Sequence, residues 1–269
     1  TKSIDINCGT GCNTTVWTRG SKVYRVTPRR NDDVNSEWMP DSHRLAFHET
    51  QGDDRLTDPM IRVDGKHETT DWRNAISSAA DAIKQFESSE IAIIASARLT
   101  NEELFLTQGL AETLNIETLN IATVERNGEA DGKLISADRN PNTNGAKLIL
   151  GETANRLSSI KNGLNNGSIK ALIVLGEDLF EAAGFSNDDL AGVEFMISSH
   201  IIANKTAQAS DIFLPGASFA EKRGSMVNVT GKLQRLNQAI QPTGNAMEDW
   251  EIIRDLTLAI NGETNDMYM

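Results

Sequence analysis

The sequence predicts an α/β protein, with a small N-terminal β-rich module followed by an open, mostly parallel sheet carrying helices on both faces. Three observations predict it. Continuous apolar runs at 91–97 (IAIIASA) and 170–178 (KALIVLGED) have the character of strands covered on both faces. Segments between such runs place apolar residues at helical spacing. The first 30 residues instead show short strands punctuated by glycine.

Taken in order, IDINC reads as an alternating strand, GTG as a turn and NTTVWTR as a second strand. RGSK then turns the chain into a third strand, VYRVTP. Residues 31–68 are polar and irregular, with expected anchors at Val34, Trp38, Leu45 and Phe47. PMIRV and DGKHE suggest a short strand and a turn. Thr69 or Thr70 is expected to cap a helix from about Asp71, with Trp72, Ala75, Ile76, Ala79, Ala80, Ile83 and Phe86 on its apolar face. Thr100 and Glu103 have capping-box spacing ahead of a helix bearing Leu104, Leu106, Leu110, Ala111 and Leu114. IETLNIA is read as a further strand, 125–146 as a loop, KLILG (147–151) as a short strand and NRLSSIKNGLNNG (155–167) as a helix closed by glycine. VEFMISSH (193–200) and DIFLPG (211–216) are strands. Residues 248–261 form a last helix, with Trp250, Ile252, Ile253, Leu256 and Ala259 on its apolar side. The segment 215–234, punctuated by Gly216, Gly224 and Gly231, is expected to be a turn and hairpin on the sheet, with the neighbours Glu221 and Lys222 reaching different partners. Strand order is not legible.

The chain carries 26 Lys and Arg against 38 Asp and Glu, a formal charge of −12, which disfavours nucleic acid as a partner. No apolar run is long enough to span a bilayer, and TKSIDINCGTGC lacks the apolar core of a signal peptide. The first residue is Thr, not Met, as in a processed or excised piece. Two cysteines do not build a disulfide framework, and a cytosolic setting is the default expectation.

Few motifs carry chemistry. Cys8 and Cys12 leave three readings open: part of a metal site with His43 or His48 in reach, a redox pair, or inert turn residues. No phosphate-cradling glycine motif follows a strand. Ser96, Gly176 and Ser198 would lie at strand ends, where α/β sheets bind ligands, but no nucleophile and base have the spacing to act together. Glu177 and Asp178 could serve as acids, but capping of a following helix is the blander reading. Among the histidines His43, His48, His67 and His200, only His200 falls at an expected strand end, where the readings are a ligand residue or, the blander one, ordinary packing or loop hydrogen bonding. The four tryptophans are read as packing residues.

Several longer segments resemble one family. After the N-terminal module come Val34, Asn35 and Trp38, then Asp41 and Arg44, then RLTDPMIR (55–62) with Trp72 and Ala75, and DGKLISADRNPNTNGAK (131–147). The most specific segment is TAQASDIFLPGASFAEKRGSMVNVTGKLQ (206–234), with Ala220, Glu221, Lys222, Gly224, Asn228, Gly231, Lys232 and Gln234 in the family pattern. Together they resemble the C-terminal, molybdopterin-oxidoreductase-like part of the large iron–sulfur subunit of respiratory complex I, the NADH-quinone oxidoreductase of bacteria.

The resemblance implies a truncated molybdopterin-oxidoreductase-like fold. Residues 1–68 would correspond to the iron–sulfur-binding module and 69–269 to the body, divided into two subdomains near 125–146 if at all. Some family members hold a four-iron cluster through C-x₂-C-x₃-C-x₂₇-C. The corresponding positions here are Asp5, Cys8, Cys12 and Pro40; His43 would have to substitute for Pro40 with a shifted backbone, so the cluster is expected to be lost and Cys8 and Cys12 to be relics. The expectation is a chain with no catalytic, cofactor-binding or metal residues of its own. It would be a structural part of the peripheral arm of an NADH:quinone oxidoreductase, with iron–sulfur clusters on a preceding segment or partner chain. Its partners would be other peripheral-arm subunits, especially cluster-bearing ones. Its place would be the cytoplasmic side of a bacterial inner membrane, or the matrix side in mitochondria. The alternatives are a molybdenum or tungsten oxidoreductase subunit of formate-dehydrogenase type, or a small-molecule module using the vestigial pterin cleft.

Overall fold

The computed structural model describes residues 1–153 and 155–263. The N-terminal module is a three-stranded antiparallel sheet of β1 (Lys2–Ile4), β2 (Asn13–Arg19) and β3 (Lys22–Pro28), in the order β1-β2-β3. Val16, Val23 and Val26 share one core cluster, a register shift between Trp17 and Thr18 letting Val23 and Val26, three residues apart, both turn inward, while Trp17 and Tyr24 are exposed.

Beyond the short helix α1 (Asp41–Leu45), the hairpin of β4 (Met60–Val63) and β5 (Lys66–Thr69) joins the edge of the large sheet through β10 (Ile212–Pro215). The sheet has seven strands in the order β5-β4-β10-β9-β8-β6-β7, where β6 is Ile91–Ala95, β7 Ile121–Thr123, β8 Ala171–Leu175 and β9 Phe195–His200. β7, β6, β8, β9 and β10 are parallel.

The fully buried strands explain the unbroken apolar runs. Ile91, Ile93, Ala95, Ile173 and Leu175 face a core under α2 (Trp72–Ile83), α3 (Asn101–Thr113), α4 (Thr143–Leu150) and α7 (Asp249–Ile260). Their neighbours Ala92, Ile94, Leu172 and Val174 face α5 (Arg156–Asn165) on the other side. Two covered faces require apolar residues at every position. No helix among the described residues is long and apolar enough to cross a membrane.

Several local expectations change. Asp71, not Thr69 or Thr70, caps α2, its side chain accepting from the backbone N–H of Asn74. Val34 is only partly buried, and Trp38 and Leu45 are exposed, whereas Phe47 and Met39 are buried; in a segment without periodicity, hydrophobicity alone did not tell which side chains turn inward. Trp17 is also exposed, packing under the guanidinium of Arg25 4.5 Å from its ring centre. Only the end of IETLNIA is a strand: a 3₁₀ turn (Thr118–Asn120) comes first, and β7 starts at Ile121. KLILG lies in helix α4, not in a strand. Ala146 and Leu150 face the core one turn apart, Leu148 is exposed, and Gly151 (φ +78°) ends the helix. A run of three apolar residues carries no period, so only its neighbours decide between helix and strand.

The segment after β10 is a turn followed by the hairpin of β11 (Gly224–Val227) and β12 (Leu233–Leu236). It ties the two sheets together. Asn228 folds its own turn by accepting from the backbone of Thr230 and Lys232, and donates to the Thr10 carbonyl at 3.1 Å. Gln234 donates to the Gly11 carbonyl at 2.8 Å.

Candidate functional site

In the large sheet, β7 lies on one side of β6 and β8 on the other, so the chain reverses direction across the sheet at β6. A crevice beyond the carboxyl ends of the strands is the geometric consequence. A cavity of about 670 Å³ occupies it. Its wall draws on the loops after four parallel strands: Arg98 after β6, Arg126 after β7, Gly176 and Asp178 after β8, and His200 at the end of β9. Ile4, Asp5 and His43 of the N-terminal region close it from the other side.

The charges are mostly internally matched. Arg126 pairs with the buried Glu177, and burial pushes the Glu177 carboxyl up against the pull of that arginine. Asp178 accepts from the Phe180 backbone at 3.0 Å and from Thr206 Oγ1, on the short helix α6 (Lys205–Ala209), at 2.9 Å; it braces a turn, where a helix was expected to follow β8. Arg98 reaches Asn7 Oδ1 at 3.5 Å; burial and the neighbouring Arg126 lower its pKa. His200 is half-buried, and its Nδ1 accepts from the Ile202 backbone N–H at 3.2 Å. Burial, only partly offset by Asp178, holds its pKa down at about 4, so the ring is neutral at pH 7. Ser96 turns the chain by accepting from the Arg98 backbone, while Ser198 lies inside β9 and bonds Ser210, away from the rim.

Lys222 shows what the A-E-K pattern does. Its Nζ, buried beside the cavity, donates to Glu103 Oε2 at 3.0 Å and Asp249 Oδ2 at 3.1 Å. Burial opposes its charge, but the two carboxylates outweigh burial and raise its pKa. With one cation shared by two carboxylates, burial and Asp249 push Glu103 up against the pull of Lys222. Glu103 also accepts from the Thr100 backbone in the capping box of α3, and Asp249 is the first residue of α7, so Lys222 pins two helix N-termini. Its neighbour Glu221 turns the other way, to Arg55 at 2.7 Å.

In the N-terminal module, Asp5, Cys8 and His43 converge, all buried. His43 Nδ1 lies 2.6 Å from Asp5 Oδ2. Sequence reasoning required a backbone shift to bring His43 there; α1 brings it directly, because Pro40 starts that helix and His43 falls on its inner side. Cys12 is buried among Val16, Val26, Phe47 and Ala220. Burial first, and then Asp5 and Cys8, push its thiol up to about 12. His48 is exposed against Phe47, and His67 bonds the Ser210 carbonyl at 2.8 Å.

Residues 55–131 and 123–258 match the molybdopterin oxidoreductase family. Residues 1–48 match the NADH-ubiquinone oxidoreductase NDSU1/NuoG-like 4Fe-4S domain, which brings the iron–sulfur relationship into this chain and not merely to a partner. The "NADH-ubiquinone oxidoreductase 78 kDa subunit, mitochondrial" of Candida albicans is 26% identical over 100% of this chain and 54% of its own length. The protein of the same name from Neurospora crassa is 24% identical over 94% of this chain and 50% of its own length. This chain thus spans about half the length of these relatives. Among solved structures, "Acetylene Hydratase from Pelobacter acetylenicus" shares the fold at a TM-score of 0.64 and 9% identity, over 97% of this chain and 69% of that one.

The donor sets do not fit the groups these families imply. A four-iron cluster needs four ligands, ordinarily thiolates, and this module offers two cysteines, with Asp5 and the side chain of Pro40 at the other positions. At the strand ends around the large cavity, no cysteine among the described residues presents a thiolate to a pterin-held metal, and Lys222 is committed to Glu103 and Asp249. With a seven-stranded, mostly parallel sheet, a switch-point cavity and matches over most of its length, the chain belongs to the molybdopterin oxidoreductase family.

Proposed function

We propose that this chain is a structural, non-catalytic part of the peripheral arm of an NADH:quinone oxidoreductase. The observation that carries the reading is the match, across its whole length, to a 78 kDa complex I subunit. The cavity chemistry supports it: the charged groups around the crevice hold loops and helix ends, and His200 is neutral and hydrogen-bonded. In this reading residues 1–68 are the former cluster module and 69–269 the oxidoreductase-like body. Electron-carrying iron–sulfur clusters sit on a preceding segment or partner chain, and the assembly lies peripherally on the membrane face where NADH is oxidised.

The β2–β3 hairpin is the face we assign to the assembly. It exposes Trp17 and Tyr24, and Arg19 and Lys22 form no ion pair among the described residues of a chain that is acidic overall. Such a face suits an acidic partner.

Deleting the chain from its host should abolish NADH:quinone reductase activity in isolated membranes, while the purified chain reduces no dye with NADH or formate. Membranes that keep full activity, or a purified chain that reduces dye rapidly, would overturn the assignment. Hydrogen exchange with and without the cluster-bearing partner should show new protection within residues 1–40. Protection confined to 147–262 would defeat the docking face.

A further inference from the structure

We propose that Asp5, Cys8 and His43 form a binding site for a single zinc-class divalent ion. This goes beyond the structural-subunit reading and stands without it. Three different donors, a carboxylate, a thiol and an imidazole, come from the end of β1, the turn after it and α1. Their ligand atoms all lie within 4.8 Å of one another. Tetrahedral zinc, with bonds of about 2.0–2.3 Å, separates its ligand atoms by roughly 3.3–3.7 Å, so side-chain rotation alone closes the set.

The surroundings are already arranged for this. The Asp5 and His43 side chains are only 2% and 8% exposed, and Cys8 is fully buried. Asp5 Oδ1 is held by the Asn7 backbone N–H at 3.1 Å and by Asn7 Nδ2 at 2.6 Å, which orients Oδ2 toward His43 Nδ1. Outer hydrogen bonds of this kind fix a ligand before the ion arrives. The Cys8 thiol has only a distant contact, 3.9 Å from the Leu134 carbonyl, so nothing strong competes for its sulfur. Asp5 and His43 both line the large cavity, which leaves a fourth position open to water from that side.

The donor types decide the ion. Imidazole and thiolate favour zinc over magnesium or calcium, and three ligands are too few for a four-iron cubane. Binding replaces the hydrogen bond between His43 and Asp5 with two metal bonds and releases the Cys8 proton to solvent. The ion would clamp β1, the 5–12 turn and α1 into one unit.

The test uses cobalt(II) as a spectroscopic probe on the 269-residue chain, after removal of any metal carried through purification. One cobalt per chain is expected, with a thiolate charge-transfer band and the intense visible absorption of a four-coordinate ion. Cys8→Ser and His43→Gln should each weaken binding more than about a hundredfold, a larger loss than outer-shell changes cause. His48→Gln, at an exposed residue outside the cluster, should bind normally. Zinc, but not magnesium, should raise the melting temperature of the wild-type chain, a readout that does not depend on the variants folding. No saturable cobalt binding, binding that survives both substitutions, or no difference between zinc and magnesium in the melting shift would each overturn the proposal. So would a chain that purifies with four irons and four sulfides.

Discussion

Replacing Lys222 with methionine removes the one cation shared by Glu103 and Asp249. The three side chains are all buried: Glu103 is 0%, Asp249 4% and Lys222 5% exposed. Methionine fills much of the same volume, so the change is chiefly electrostatic. Breaking a buried ion pair by removing one partner costs about 3–5 kcal/mol, because the remaining charge is left without compensation. Against a typical total of roughly 5–15 kcal/mol, the variant should fold with a thin margin. The deficit should depend on pH with a definite sign. Without the ammonium to oppose them, burial and the neighbouring Asp249 raise the folded-state pKa of Glu103 above its unfolded value. The folded state then binds more protons than the unfolded one above the ordinary carboxylate range, so stability falls as pH rises. Urea denaturation at about pH 5 and about pH 8 should show the smaller loss at the lower pH. The triple variant Lys222→Met, Glu103→Gln, Asp249→Asn should recover most of the loss, since a buried network replaced as a whole is near neutral. A single-variant deficit under about 1 kcal/mol, or one equally large at both pH values, would refute the reasoning.

His200 yields a prediction of opposite sign. Its folded pKa of about 4 lies below the ordinary 6.5, so the unfolded state binds the extra proton and stability is lost as pH falls through that window. With the ring half-buried, the loss should be about 1–3 kcal/mol, and the share of the pH slope due to this ring should vanish in His200→Asn; an unchanged slope in the variant would count against it. Gly11 has φ +63°, and a Cβ there would lie 2.2 Å from Gln234 Oε1, where Gln234 also donates to the Gly11 carbonyl. Gly11→Ala should cost about 1–3 kcal/mol, clearly more than Gly20→Ala, which has similar φ but open space. Equal thermal shifts in the two variants would show that the hairpin contact is unimportant.

The candidate site was legible only in part. The capping box of Thr100 and Glu103 could be read from spacing, because a cap is a local event over four residues. That Glu103 also meets Lys222 could not, since 119 residues separate them and only the fold brings them to one point. Glu221 and Lys222, adjacent in sequence, were expected to reach different partners, and they do. The identities of those partners, Arg55 on one side and Glu103 with Asp249 on the other, carried no sequence signal. His43 was considered as a ligand only at the cost of a backbone shift; the turn at Pro40 and one turn of α1 remove that cost.

By itself, the sequence determined the elements whose cause is local: doubly covered strands such as Ile91–Ala95 and Ala171–Leu175, amphipathic helices such as α2, and the N-terminal strands β2 and β3, whereas the strand expected on IDINC lies earlier, at Lys2–Ile4, and shares only Ile4 with it. It also carried the long ordered segments that place the chain in its family. The tertiary structure alone decided the strand order, the helical state of 143–150, and the joining of the 60–69 hairpin to the large sheet. It also decided the convergence of Asp5, Cys8 and His43. Periodicity and capping act over a few residues, whereas these outcomes depend on which distant surfaces bury one another, and no local pattern encodes that choice.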